Sequence, residues 1–271
     1  MDDETAPVQK IPQMTKDIDR FFYEALYANA SDLHLAAHMP PTFRIGVDLV
    51  ELHHYGELTP AQVETMALSL LTSAQKEHFM TARELDMAYQ LPDGPRFRIN
   101  VHWEKGNVGL VARVIPNTIP TMEQLGLPEV VYQFARMHQG LVLVTGPTGC
   151  GKSTTLAAMV SYINQERAVH IVTLEDPIEF LHASKKALVR QREYRSDFLS
   201  FAEALKHVVR QDPDVIMVGE MRDLETIAAA ITVAETGHLV LATLHTMSAD
   251  QTIDRIVDIF PPYQQDQIRT Q

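Results

Sequence analysis

The chain has 271 residues, 45% hydrophobic and 21% charged, which is ordinary globular usage and enough to bury a core in each of two domains. Its net charge of −12 opposes the unspecific attraction to phosphate backbones that supports most nucleic-acid binding, so nucleic acid is not an expected partner. A single cysteine, Cys150, excludes an internal disulfide or a multi-cysteine zinc module and fits a reducing cytoplasm; the acidic start MDDETAPVQK is unlike a secretory signal, and no apolar run reaches the ~20 residues of a membrane span, so membrane contact is expected only through partners.

Residues 1–14 carry acids and prolines before any periodicity and read as a flexible tail. From Lys16 the apolar residues Ile18, Phe21, Phe22, Ala25 and Leu26 recur at helical spacing, which predicts an amphipathic helix. SDLHL follows as a short strand, and Phe43, Ile45 and Val47 alternate with Arg44 and Gly46 as in a half-buried strand. Thr59, Pro60 and Gln62 supply an N-cap, a favoured first helical residue and a capping-box partner for a helix reaching about Met80. Strands are predicted near 84–91, 96–103 and 108–115, separated by the turn signals Pro92-Asp93-Gly94 and Lys105-Gly106-Asn107. Residues 15–116 thus read as a small α+β domain. Pro116, Pro120 and Pro128 punctuate a linker over 117–127.

Over residues 128–271 the elements alternate: strands 140–145, 170–175, 214–219 and 238–244 with helices 152–166, 200–211, 224–236 and 249–258. Such alternation predicts an α/β domain with a mostly parallel sheet covered by helices on both faces. A short extra strand is expected near 187–190. The stretch from Pro261 onward reads as the opening turns of a helix with neither cap nor stop, as in a chain that continues past Gln271.

Gly146-Pro147-Thr148-Gly149-Cys150-Gly151-Lys152-Ser153 fits G-x-x-x-x-G-K-[ST], and it lies between the apolar strand LVLVT and the helix STTLAAMV. Glycines let the backbone turn tightly and aim N–H groups at phosphate oxygens, and the following helix adds its positive end. Lys152 is expected to reach the β- and γ-phosphates of ATP and the Ser153 hydroxyl to ligate Mg²⁺, with Thr154 completing the binding set. Strand, spacing and helix agree, against a chance glycine-rich turn.

Ligands of open α/β sheets bind outside the carboxyl ends of the strands, and those ends are strongly polar here. HIVTL is followed by Glu175, Asp176 and, past Pro177, Glu179; DVIMVG by Glu220, Arg222 and Asp223; LVLATL by His245. Glu220 is the candidate for polarising the attacking water, since it ends a strand expected beside the phosphate loop; its bland reading is an acid complementing the dipole of the next helix. Gly219 stands where an ordinary magnesium-binding strand carries Asp, so Mg²⁺ is expected on Ser153 and waters. Glu175 and Asp176 could hold metal-bound water, but acids before a proline are also common turn formers. His245 and His238 are seven residues apart on one strand, roughly 23 Å, which leaves only His245 at the nucleotide edge as a γ-phosphate sensor, His238 being otherwise a satisfied histidine at a helix end.

In the first domain Arg96 and Arg98 leave one face of a strand whose other face carries Phe97 and Ile99, and Arg113 lies on the next strand. They form either a solvated face or groups that reach phosphates across a boundary.

The boxes GPTGCGKSTTLAAM, TLEDPIEF, DPDVIMVGEMRDLETI and TGHLVLATLHT, in this order and spacing, resemble the secretion-ATPase superfamily and, within it, the retraction ATPases of type IV pili. ASDLHL, PP followed by FRI, and RFRINVH resemble that family's PAS-like N-terminal domain, so the resemblance runs from about residue 16 to the end. It implies a RecA-like P-loop NTPase domain preceded by the PAS-like one, and a homohexameric ring with ATP between domains. It further implies a Mg²⁺-dependent motor for pilus retraction and twitching motility, cytoplasmic and held at the inner membrane through the pilus platform protein and pilus machinery. The family's functional residues fall on Lys152 and Ser153, on Glu175, on Glu220 as catalytic glutamate, on His238 and His245, and on Arg98 and Arg113 as phosphate contacts. Two departures stand out: Gly106, beside Lys105, occupies the place of a third arginine, and the family's C-terminal retraction motif does not occur before Gln271.

Pilus assembly or type II secretion ATPases are the alternative within the superfamily, although they generally carry a four-cysteine module. A non-hydrolysing nucleotide-binding regulator is the alternative of another class, in which Lys152 or Glu220 would be expected to be lost. A RecA-type DNA motor is disfavoured by the acidic charge.

Overall fold

The computed structural model describes residues 14–116, 118–246 and 248–270. The tail expected over 1–14 lies, apart from Met14, outside the described residues. The chain divides into two compact units, one up to residue 117 and the other from Thr118.

The first unit runs α1 (Asp19–Tyr27), β1 (Asp32–Leu35), β2 (Thr42–Ile45), β3 (Asp48–Glu51), α2 (Pro60–Leu70), α3 (Ser73–Ala82), β4 (Glu84–Gln90), β5 (Arg96–Glu104) and β6 (Asn107–Ile115). Its strands form one antiparallel sheet in the order β3-β2-β1-β6-β5-β4. Alternation decides what each strand buries: Phe97, Ile99 and Val101 of β5 lie inside with Phe21, Phe22 and Ala25 of α1, while Arg98 stays exposed. The helix expected from Thr59 to about Met80 is two helices. Thr59 and Gln62 close a capping box, and Thr72 and Gln75 close a second one that restarts the chain as α3. Val47, expected inside a strand, is an exposed residue of the β2–β3 turn, where Gly46 has φ +62°.

The second unit contains α4 (Glu129–Arg136), β7 (Gly140–Thr145), α5 (Lys152–Glu166), β8 (His170–Glu175), β9 (Leu188–Glu193), α6 (Phe201–Val208), β10 (Val215–Val218), α7 (Leu224–Glu235), β11 (Leu239–Leu244), α8 (Ala249–Ile259) and α9 (Pro262–Thr270). Every strand pair is parallel, in the order β7-β11-β10-β8-β9. Successive residues feed opposite faces, so the central strands β10 and β11 are apolar nearly throughout, whereas the edge strand β9 is mostly polar. Val215 and Met217 of β10, with Leu239 and Leu241 of β11, pack with Leu156, Met159 and Ile163 of α5. Ile216 and Val218, with Val240 and Ala242, pack with Leu205 of α6 and Ile227 of α7.

The sheet order corrects the placement of Glu220. Its strand β10 is not beside β7; β11 lies between them. The expected short strand near 187–190 extends to Glu193 and pairs along all of β8. Met122 is buried in the α5-side core, so part of the segment expected as a linker packs on the second unit. No helix of the described residues is long and apolar enough to cross a membrane.

Candidate active site

Between β7 and α5 the backbone turns through three glycines with positive φ, Gly146 at +149°, Gly149 at +80° and Gly151 at +97°. At Gly146 the dihedral disfavours any side chain, and a Cβ would also lie 2.6 Å from the Cys150 sulfur, which would have to turn away. Gly151 takes the N-cap position of α5 without a side-chain cap, which leaves the first-turn N–H groups open to an anion. Lys152 is 8% exposed, and its Nζ donates to the carbonyls of Gly146 at 2.9 Å and Pro147 at 3.0 Å. The ammonium is thereby held inside the loop. A bound phosphate would replace these neutral acceptors with charged ones.

Glu220 follows β10 on a backbone pinned from both sides. The Gly219 N–H donates to Leu174 O at 2.8 Å, the Thr243 hydroxyl to Gly219 O at 2.5 Å, and the Met221 N–H to Thr243 O at 3.2 Å. Both carboxylate oxygens are engaged: Oε2 by Arg222 Nη2 at 2.8 Å, Oε1 by His245 Nε2 at 3.1 Å. Partial burial by itself would raise the pKa of Glu220, but Arg222, His245 and Lys152 outweigh it and hold the carboxyl below its usual range. Lys152 is among the cations that favour the ionised carboxyl, although β11 separates β10 from the strand that leads into the phosphate loop. Arg222 is held above its ordinary pKa by Glu220, against some burial, with Asp176 adding to the effect. Glu220, Arg222, Leu244, His245 and Arg255 line one open cleft.

Glu175, at the end of β8, is in the opposite situation. It is 6% exposed, and burial pushes its carboxyl up to about 7, against the hydrogen bonds it accepts. Those come from Thr173 Oγ1 at 2.6 Å and Gln191 Nε2 at 3.1 Å to Oε1, and from the Glu179 N–H at 3.4 Å to Oε2. Gly219 packs on this residue: a Cβ there would lie 3.3 Å from Leu174 O and 3.4 Å from the Glu175 Cα. The missing Asp at that position therefore has a steric counterpart in the neighbouring strand.

A family model described as type II/IV secretion system protein matches residues 8–269. The chain belongs to this family. It is 48% identical over 94% of its length to the type IV pilus retraction ATPase PilT of Pseudomonas aeruginosa, of which it spans 74%. It is 46% identical over 85% of its length to a twitching motility protein of Neisseria gonorrhoeae, of which it spans 61%. A crystal structure of the pilus retraction motor PilT with bound ADP superposes with a TM-score of 0.89 at 46% identity, covering 94% of this chain and 74% of that one. The parallel sheet of the second unit is the RecA-like sheet of the secretion-ATPase family.

Against this family background the remaining predicted residues separate. His238 lies at the opposite end of β11 from His245; its Nδ1 sits 3.0 Å from Val233 O at the end of α7, and its own carbonyl accepts from the Gly140 N–H. Within one chain it is not brought to the cleft. Asp223 is the N-cap of α7, accepting from the Thr226 N–H at 2.8 Å. In the first unit Arg98 and Arg113 face each other across β5 and β6, and both are exposed. Arg113 Nε donates to the buried Asp32 at 2.8 Å; Arg98 makes no ion pair among the described residues. Thr154 and Ser153 lie half-buried in the first turn of α5.

Three participants carried no assigned role in the sequence reading. Arg222 was visible as a charge after β10, but the contact of an i, i+2 pair in a loop has no periodicity to announce it. Arg255, which donates to His245 O at 3.3 Å, and Gln191, which holds Glu175, come from α8 and β9, and only the tertiary fold brings them there.

A Mg²⁺ ion suits the donors around the loop. The Ser153 hydroxyl makes no hydrogen bond among the described residues, Asp176 is exposed near Arg222, and no cluster of three or more metal-ligating side chains occurs among them. That set fits an ion that arrives with phosphate oxygens and keeps its waters, rather than one caged by protein.

Proposed function

We propose that this chain is the ATP-hydrolysing motor of a type IV pilus retraction machine, dependent on Mg²⁺. It would work as a homohexameric ring at the cytoplasmic side of the inner membrane, with the pilus platform protein as partner and the first unit as its PAS-like domain. The observation that carries the reading is that the glycine-rich loop with its buried Lys152 and the Glu220–His245 pair follow strands of one parallel sheet at the same, carboxyl edge. The identity to retraction and twitching proteins supports the direction of the motor.

In this reading the loop amides and Lys152 hold the phosphates, and Lys152 exchanges the Gly146 and Pro147 carbonyls for phosphate oxygens. Glu220, kept ionised, polarises the attacking water, with His245 beside its Oε1. Mg²⁺, held by Ser153 with Asp176 acting through water, supplies neutralisation of phosphate charge. Arg98 and Arg113 take the phosphate-contacting role that the family resemblance implies for them. The presence of both Lys152 and Glu220 argues against a non-hydrolysing regulator.

The test has two arms. Full-length protein with ATP and Mg²⁺ is expected to release phosphate as a ring by light scattering. The same protein in pilus-retraction-deficient cells is expected to restore twitching; a strictly monomeric ATPase at full rate, or restored piliation without motility, would contradict the respective part.

A further inference from the structure

Two charged residues follow Glu220 in the loop after β10, and the fold uses only one of them. Asp223 caps α7. Arg222 has a side chain that is 70% exposed, and an ion pair with that much solvent contributes little to stability. What the contact does is orient: Nη2 holds Glu220 Oε2 at 2.8 Å, while His245 Nε2 sits 3.1 Å from Oε1.

We propose that Arg222 is the positioning residue for Glu220, fixing one carboxylate oxygen so that the other, beside His245, is presented to the attacking water. The proposal rests on the reading of Glu220 as the water-polarising group. The groups that act on this carboxylate come from different places: Arg222 from its own loop, His245 from the end of β11, Lys152 from the start of α5. Asp176, after β8, acts on Arg222 in turn, and Arg255 of α8 lines the same cleft. Without Arg222 the carboxylate keeps its burial but loses its closest cation. It then turns more freely and retains its proton to higher pH.

The experiment is a double-mutant cycle on the full-length protein, reading single-turnover ATP hydrolysis, its pH profile and ADP affinity. Arg222→Gln is expected to slow hydrolysis roughly ten- to a hundredfold with ADP affinity nearly unchanged, and to move the acid limb of the rate profile to higher pH. Arg222→Lys, a point charge without the planar fork, is expected to restore the acid limb but only part of the rate. In a Glu220→Gln background the Arg222→Gln change is expected to alter the rate by less than about twofold. Equal losses in both backgrounds, or an acid limb that does not move, would overturn the proposal and leave Glu220 standing. Near-parental hydrolysis by Glu220→Gln alone would instead remove the reading on which the proposal rests.

Discussion

Strands β8 and β10 are hydrogen-bonded neighbours that run in the same direction, and each delivers a glutamate to the same edge of the sheet. Glu175 is enclosed by Thr173, Gln191 and the Glu179 N–H, without a cation, and its carboxyl is raised to about 7. Glu220 is partly open, stands among Arg222, His245 and Lys152, and is held below its usual range. A carboxylate that must polarise water needs to be ionised and reachable, and only the second meets both conditions. Position at the edge therefore does not decide the role; exposure and ionisation do, and the cations beside Glu220 keep it ionised at some cost in basicity. Gly219 belongs to both environments, since its backbone leads into Glu220 while its lack of a side chain makes room for Glu175.

The comparison can be broken first at Lys152, a cation that acts on Glu220 and not on Glu175. Lys152→Ala is expected to cost about 2–5 kcal/mol of nucleotide binding, because the buried donor is removed from charged acceptors; equilibrium binding of a labelled ATP analogue reads it. A bulky reagent on the Cys150 thiol, which sits against Gly146, is expected to block binding too, with ATP protecting, whereas full binding after complete modification would show that the side chain points away.

The next effect belongs to Glu175. Its folded pKa of about 7 lies above the ordinary 4.5, so its contribution to stability is fully present below pH 4.5 and is lost as pH rises to about 7. The whole difference amounts to about 3 kcal/mol at 1.36 kcal/mol per pH unit. Glu175→Gln keeps an oxygen for Thr173 and Gln191 and cannot ionise. Its thermal midpoint is expected to gain on the parent between pH 5 and pH 8, and parallel pH dependences would refute the buried neutral carboxyl. A smaller cost, about 1–2 kcal/mol, is expected for Gly219→Ala, whose Cβ would press on Leu174 O and Glu175. Calorimetry should show a lowered midpoint for the second unit; an unchanged one would mean that the strands part easily.

Much of this arrangement is legible in the sequence, because the elements of the second unit announce themselves by continuous apolar runs alternating with amphipathic stretches, and the phosphate loop by spacing. Sheet order is not legible in the same way. The insertion of β11 between β7 and β10 depends on contacts such as Val218 opposite Ala242, far apart in the chain. In the first unit the break between α2 and α3 is hidden by apolar periodicity that runs through Leu70 and Leu71, although Thr72 and Gln75 repeat the signature of Thr59 and Gln62. Strand β3 carries no burial pattern, all four residues being exposed, so periodicity had nothing to report. The opposite states of Glu175 and Glu220 escape the sequence too, since burial and cation neighbours are set by β9, α5 and β11 together.

The most direct measurement is nucleotide affinity alongside single-turnover hydrolysis for Glu220→Gln in the full-length protein. The amide retains the size and one acceptor but neither the charge nor the basicity. Binding is expected to stay near the parental value while hydrolysis slows by ~10²–10⁴-fold, or about 3–5 kcal/mol of barrier. Turnover within about threefold of the parent, under ~1 kcal/mol, would contradict the assignment and shift it to Glu175.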